Sequence, residues 1–132
     1  MKEIVEFLNE NKMGAFATVD NGQPRVRPWG FMMEENGKFY FCTANTKDVF
    51  KQLQKVPFCE FTSTSKNMVT VRLAGEVIFT NDVNIKRKVL ENNPEVKAIY
   101  HSETNPVLEV FYIEHGEASI SEFGQPPRKF NF

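Results

Sequence analysis

A chain of 132 residues with 41% hydrophobic content, 13 of its residues phenylalanine, is long enough to bury one core and too short for two. Sixteen Lys and Arg against 17 Asp and Glu leave a net charge of −1. That balance lacks the basic excess by which proteins grip polyphosphate backbones, and it argues against a dedicated nucleic-acid binder, including an oligonucleotide-binding barrel. No stretch approaches the roughly 18 apolar residues of a membrane span, and MKEIVEFLNENK carries acids where a secretory signal runs apolar. The expectation is an unprocessed cytoplasmic protein with no membrane partner.

In chain order, Ile4, Val5, Phe7 and Leu8 fall at helical spacing with Lys2, Glu3, Glu6 and Glu10 between them, which predicts a short amphipathic helix. From Gly14 the period drops to two. AFATVD, QPRVRPWGFMM and KFYFCT are separated by Asn21-Gly22 and Asn36-Gly37, a dipeptide suited to tight hairpin turns, so an antiparallel meander is expected. Thr46 then precedes KDVFKQLQK, where Val49, Phe50 and Leu53 share a helical face, and Pro57 stops the helix. PFCEFTSTS and MVTVRLAGEVIFTN return to strand, with Gly75 marking a bend or bulge of the kind a closed barrel needs at its corners. DVNIKRKVLENN, capped by Asn81 or Asp82, and PEVKAIYH, opened by Pro94, read as two helices. PVLEVFYIEHGEASISEF is strand again, broken near His115-Gly116, and the Pro-rich tail GQPPRKFNF reads as irregular. The sum is a single domain over 1–132, mainly β: a six- to seven-stranded antiparallel barrel with three or four short flanking helices.

Most catalytic vocabularies are missing. Cys42 and Cys59 form no CxxC, His101 and His115 are the only histidines, and neither GxSxG nor HExxH occurs, so no metal site is expected. Two segments carry chemistry. By period two, Arg25, Arg27, Trp29 and Phe31 share a face of the second strand, unless Pro28 bulges it. Two guanidiniums beside an aromatic suit an anion joined to a ring, although such arginines also snorkel from solvated edges. The run Thr43-Ala44-Asn45-Thr46-Lys47 leads from a strand into a helix start, where free backbone N–H groups favour a phosphate. Thr46 would donate its hydroxyl there and Lys47 neutralise the charge, or Thr46 would cap the helix with Lys47 in water, while Asp48 opposes an anion. Lys86-Arg87-Lys88 reads as a solvated charged face, and Phe130 and Phe132 as packing against a ligand or partner chain.

The order and spacing of GxFATVDxxGxPRVRPxxF, KFYFCTANTKDVFKQLxxxP, VRLxGEVxF and VFYIEHGEASISEF, spanning about Ile4 to Phe123, resembles the pyridoxamine 5′-phosphate oxidase-like flavoproteins, in a branch that includes the nitroimidazole-resistance proteins. The resemblance implies a split β-barrel that binds FMN at a homodimer interface. It implies Arg27, Pro28 and Trp29 beside the flavin ring, with Arg25 or Arg27 near its N1. Thr43, Asn45, Thr46 and Lys47 would meet the phosphate, with Lys51 behind them. It further implies an oxidoreductase passing electrons from a small nicotinamide donor to a small acceptor, or else a non-catalytic flavin or haem binding or sensor module. Asp48 among the phosphate positions and the short tail depart from the larger oxidases, so activity on pyridoxamine phosphate is not expected. Neither His101 nor His115 falls on the two cofactor motifs.

Overall fold

The computed structural model describes residues 1–132. The elements run α1 (Lys2–Glu10), β1 (Met13–Asp20), β2 (Gln23–Gly30), β3 (Met33–Glu35), β4 (Lys38–Ala44), α2 (Asp48–Lys55), β5 (Phe58–Thr64), β6 (Thr70–Thr80), α3 (Val83–Glu91), α4 (Pro94–Tyr100), β7 (Leu108–Ser121) and β8 (Arg128–Asn131). Both Asn-Gly pairs place both residues at positive φ, as two-residue hairpin turns require: Asn21 and Gly22 at 51° and 76°, Asn36 and Gly37 at 53° and 79°.

All pairings are antiparallel, in the order β2-β1-β5-β6-β7-β4-β3, with β8 on the second half of β7. β2 and β3 stand at opposite ends of that order, yet only Phe31 and Met32 separate them in the chain. The three peptide steps from Gly30 to Met33 span at most about 11 Å, so the sheet must roll until its ends meet. Phe31 N donates to Lys12 O at 2.8 Å and Met32 N to Tyr40 O at 3.0 Å, stitching the two ends together. This is the expected antiparallel barrel, with eight strands where six or seven were expected, and with four short helices.

The inward faces meet in an aromatic core. Phe16, Phe31, Phe39, Phe41, Phe61 and Phe111 are fully buried, each contributing about 2–3 kcal/mol by removal from water. Ile4 and Leu8 of α1 and Val49 and Leu53 of α2, each pair four residues apart, add to the same cluster. Asp82 caps α3 by accepting from Asn84 N at 2.9 Å, and Pro94 opens α4.

Three expectations need correction. The ladder between β6 and β7 shifts register between Gly75 and Val77, which is the anticipated bulge, but β7 is not broken at His115-Gly116. Gly75 faces Gly116 there, and a Cβ on Gly116 would stand 2.1 Å from Ala74 O, so glycine on both strands lets them bend in close approach without separating. The tail is not wholly irregular: Arg128–Asn131 pairs with β7 as the eighth strand. Phe132 and Phe130 accordingly pack on their own core, with the Phe132 ring 5.2 Å from that of Phe39.

Candidate functional site

Pro28 does not bulge β2, which pairs with β1 without interruption from Gln23 to Gly30. β2 is the outermost strand of the order, the position where proline costs least, and Pro24 and Pro28 fall four apart so that the donors they lack lie on one side of the strand. The continuous ladder keeps Arg25, Arg27 and Trp29 on the face shared with Thr18 and Phe16. Trp29 turns inward and stacks on Phe16 with ring centroids 5.3 Å apart, while Arg25 stays in water, bound to Pro24 O and Gln23 Oε1.

α2 lies across from this face, and between them is a cleft of about 950 Å³. Arg25, Arg27, Lys47, Lys51 and Lys55 line it against only Asp20 and Asp48. None of these cations belongs to an ion pair; the chain's five salt bridges all lie elsewhere. A protein of net charge −1 thus concentrates unneutralised positive charge in one concavity, the electrostatic footprint of an anion site.

Arg27 is its most ordered member. Nη1 donates to Thr18 Oγ1 at 2.9 Å and to Phe16 O at 3.2 Å, and Nη2 donates to Gln52 Oε1 at 2.8 Å. Thr18 Oγ1 also donates to Gln52 Oε1 at 2.6 Å, joining β1, β2 and α2 through one amide oxygen. Partial burial lowers the guanidinium's pKa from its ordinary value and the nearby Asp48 carboxylate opposes the shift. The group remains charged at any working pH.

A second, apolar pocket of about 350 Å³ opens on the far side of the same wall. Pro28, Trp29 and Lys47 line both hollows, and Phe31, Met32, Cys42 and the Val96, Ile99 and Tyr100 side chains of α4 complete the apolar one. Lys47 Nζ stands over the Trp29 ring, 5.8 Å from its centroid. Burial pushes the Cys42 thiol up to about 12, so it is protonated and no nucleophile at neutral pH. No three His, Cys, Asp or Glu side chains converge on a metal-binding cluster.

The structure therefore gathers Arg25, Arg27, Pro28, Trp29, Lys47 and Lys51 around one junction. Arg27 belongs to the basic cleft alone, not to the apolar pocket where a ring-side role would put it. The remaining three candidates sit apart from both hollows. Thr43 is buried on the inward face of β4, sharing parity with Phe39 and Phe41. Asn45 spends its amide on Pro106 O and Glu109 Oε2. Thr46 is exposed and does not cap α2, whose N-cap is Lys47, with no side-chain hydrogen bond closing the helix start. Sequence reasoning missed Thr18 and Gln52. Thr18 carried a usable signal, because it follows Phe16 by two and so faces inward, where a hydroxyl needs a partner.

Two buried polar atoms have no partner in the chain, Trp29 Nε1 and Thr43 Oγ1, and both belong to residues singled out as cofactor-binding. An orphaned donor costs about 1–3 kcal/mol unless something satisfies it, so the wall is chemically incomplete at Trp29, which lines both hollows, while Thr43 lies apart from them. A model of pyridoxamine 5′-phosphate oxidase matches residues 1–92. This chain belongs to the pyridoxamine 5′-phosphate oxidase family. Among solved structures, a NimC/NimA family protein from Clostridium acetobutylicum is 36% identical, with a TM-score of 0.91 over 100% of this chain and 92% of the other. General Stress Protein 26 from Bacillus anthracis is 16% identical at a TM-score of 0.80, over 99% of this chain and 98% of the other. A haem binding protein from Mycobacterium smegmatis is 13% identical at 0.80, over 98% of this chain and 56% of that one. The last two share the split-barrel fold. No curated protein matches the chain in sequence.

Proposed function

We propose that this member of the pyridoxamine 5′-phosphate oxidase family binds FMN as a homodimer and serves as an oxidoreductase between a nicotinamide donor and a small acceptor. The observation that carries the reading is the junction itself: an unpaired basic cleft meets an apolar pocket across Pro28, Trp29 and Lys47. Such a pair of hollows suits a ligand with a dianionic end and a flat apolar end, and FMN has both. Arg27, Lys47 and Lys51 hold the phosphate in this reading, and Trp29, Pro28 and the α4 side chains border the ring. The bound flavin supplies the electron transfer. The chain's part is to orient the ring, to exclude water with Phe31, Met32 and Tyr100, and to counter the phosphate charge.

A homodimer is supported by the outward face of the β1–β2 hairpin. Ala15, Ala17 and Val19 alternate away from buried Phe16 and Thr18, and in register they stand beside Pro28, Val26 and Pro24, six positions without a charge. Val26 is 71% exposed. The prolines bar another strand from adding at this edge, so a second copy docks face-on, with Val26 and Pro28 also on the rim of the cleft.

A haem store is the weaker reading, since neither His101 nor His115 lines either hollow and the Cys42 thiol resists ionisation. The test is the visible spectrum of the purified protein and the mass of what heat releases. A flavin spectrum bleached anaerobically by NADH or NADPH supports the oxidoreductase. Flavin that NADH and NADPH leave coloured reduces the function to binding, and a Soret band or a colourless protein that takes up no added FMN overturns the reading.

A further inference from the structure

Arg27 is half-enclosed by acceptors, and every one of them is neutral. Phe16 O, Thr18 Oγ1 and Arg25 O take Nη1, and Gln52 Oε1 takes Nη2. The usual companion of a partly buried guanidinium is a carboxylate, whose planar pair of oxygens matches the fork. Position 52 is placed to supply one, 2.8 Å from Nη2, and it holds glutamine. Asp48, one turn earlier on α2, raises the guanidinium's pKa from a distance but makes no ion pair with it, and Asp20 is the only other acid of the cleft. Dipoles fix a cation in place without cancelling it, whereas a carboxylate at contact would leave little net charge for a ligand. Arg27 Nε–H meanwhile has no acceptor in the chain, so two-donor binding of an incoming oxyanion remains open on that edge.

We propose that Gln52, seated by the Thr18 hydroxyl, is a positioning residue that aims the Arg27 fork at the phosphate end of the ligand while leaving its charge unspent. The preference for FMN over riboflavin, which lacks only the phosphate, is then set one layer behind the cations that touch it. The proposal rests on the FMN reading and deepens it. A glutamine also explains why one amide oxygen accepts twice: Thr18 Oγ1 at 2.6 Å and Arg27 Nη2 at 2.8 Å lock its O-side toward β2, and a flipped amide would face both donors with N–H groups.

The test titrates the full-length protein, stripped of flavin, with FMN, riboflavin and inorganic phosphate, and follows its thermal unfolding. Gln52→Glu converts the dipole into an ion pair in nearly the same volume. It is expected to weaken FMN and inorganic phosphate by about tenfold or more, to leave riboflavin within about twofold, and to melt at or above the wild-type temperature. Stability and FMN affinity moving in opposite directions is a signature that a merely structural glutamine would not give. Gln52→Leu, which removes the seat but adds no charge, is expected to weaken FMN by only about threefold. If Gln52→Glu binds FMN as the wild type does, or loses riboflavin to the same degree, the positioning role is wrong. A loss in Gln52→Leu as large as in Gln52→Glu would overturn the charge argument. Wild-type protein that ignores FMN yet binds phosphate in a Gln52-sensitive way would remove the flavin reading and keep the role of Gln52; failure to bind either removes both.

Discussion

Two basic regions of this molecule look alike in composition and opposite in use. On α3, Lys86, Arg87 and Lys88 form an unbroken run, and the structure gives each a partner: Arg87 pairs with Glu103 at 3.1 Å and Lys88 with Glu35 at 2.8 Å, while Lys86 donates to the neutral Leu108 O. In the cleft, five cations come from β2, α2 and the turn before α2, as far as 30 residues apart in sequence, and none is paired. The conspicuous run is a satisfied surface, and the dispersed set is the candidate site. Charge that awaits a ligand is recognised by what the fold withholds from it, which is a property of three dimensions.

The widest separation between the regions comes from emptying each of them. Arg27→Ala with Lys47→Ala is expected to weaken FMN by about 2–4 kcal/mol, through loss of two charge-assisted contacts. Arg87→Ala with Lys88→Ala should leave FMN affinity within about twofold, since both cations already have partners. Fluorescence titration of flavin reads both, and equal losses in the two double variants would dissolve the distinction. Salt sharpens the contrast. Raising ionic strength should weaken FMN far more than riboflavin, because only the former engages the exposed part of the cleft's charge.

How much of this was legible beforehand differs by element in ways the physics explains. Period-two alternation and the two Asn-Gly turns are local signals, so the barrel could be read strand by strand. β8 could not, because Pro126-Pro127 look like a terminator and the pairing of Arg128–Asn131 depends on distant partners, Glu117 to Ile120. In the site, Arg25, Arg27, Trp29, Lys47 and Lys51 were visible as residue types that suit an anion and a ring. Asn45 and Thr46 were chosen by the same logic; neither lines the cleft, and nothing local records that the Asn45 amide will meet Pro106. Gln52 was hidden in plain view as the polar neighbour of Leu53 on an amphipathic helix. Its meaning exists only once β1 brings Thr18 and β2 brings Arg27 to the same oxygen.

The shared hydroxyl gives a smaller and more specific handle. Thr18 is 2% exposed, and its Oγ1 both accepts from Arg27 and donates to Gln52. Thr18→Val keeps the shape and removes both bonds, for an expected loss of about 1–2 kcal/mol in chemical denaturation. Thr18→Ser, which keeps the hydroxyl, should recover most of the lost FMN affinity. A valine variant as stable and as tightly binding as the wild type would mean that Arg27 is held by Phe16 O and Gln52 alone.

The smallest expected effect belongs to the paired region, and the group that titrates distinguishes it from the cleft. Glu103 titrates below its ordinary value of 4.5, first because its own backbone N–H bonds the carboxylate and second because the Arg87 guanidinium does. Its folded pKa is thus depressed relative to the unfolded chain. The stabilisation is fully present above about pH 4.5 and disappears as pH falls through the folded value. Glu103→Gln should therefore melt slightly below the wild type at pH 6 and converge with it once the pH has fallen below the folded value. Because Glu103 is solvent-accessible, that gap should also shrink in high salt. In the cleft ligand binding also declines in acid, but through the ligand and not through a side chain, because the Arg27 guanidinium stays charged at any working pH. Acid weakens FMN there by protonating the ligand's own phosphate, whose second pKa is about 6, and that decline should persist unchanged in Glu103→Gln. A variant at Glu103 that altered the pH profile of flavin binding would show the two basic regions to be coupled, and the contrast between them would fail.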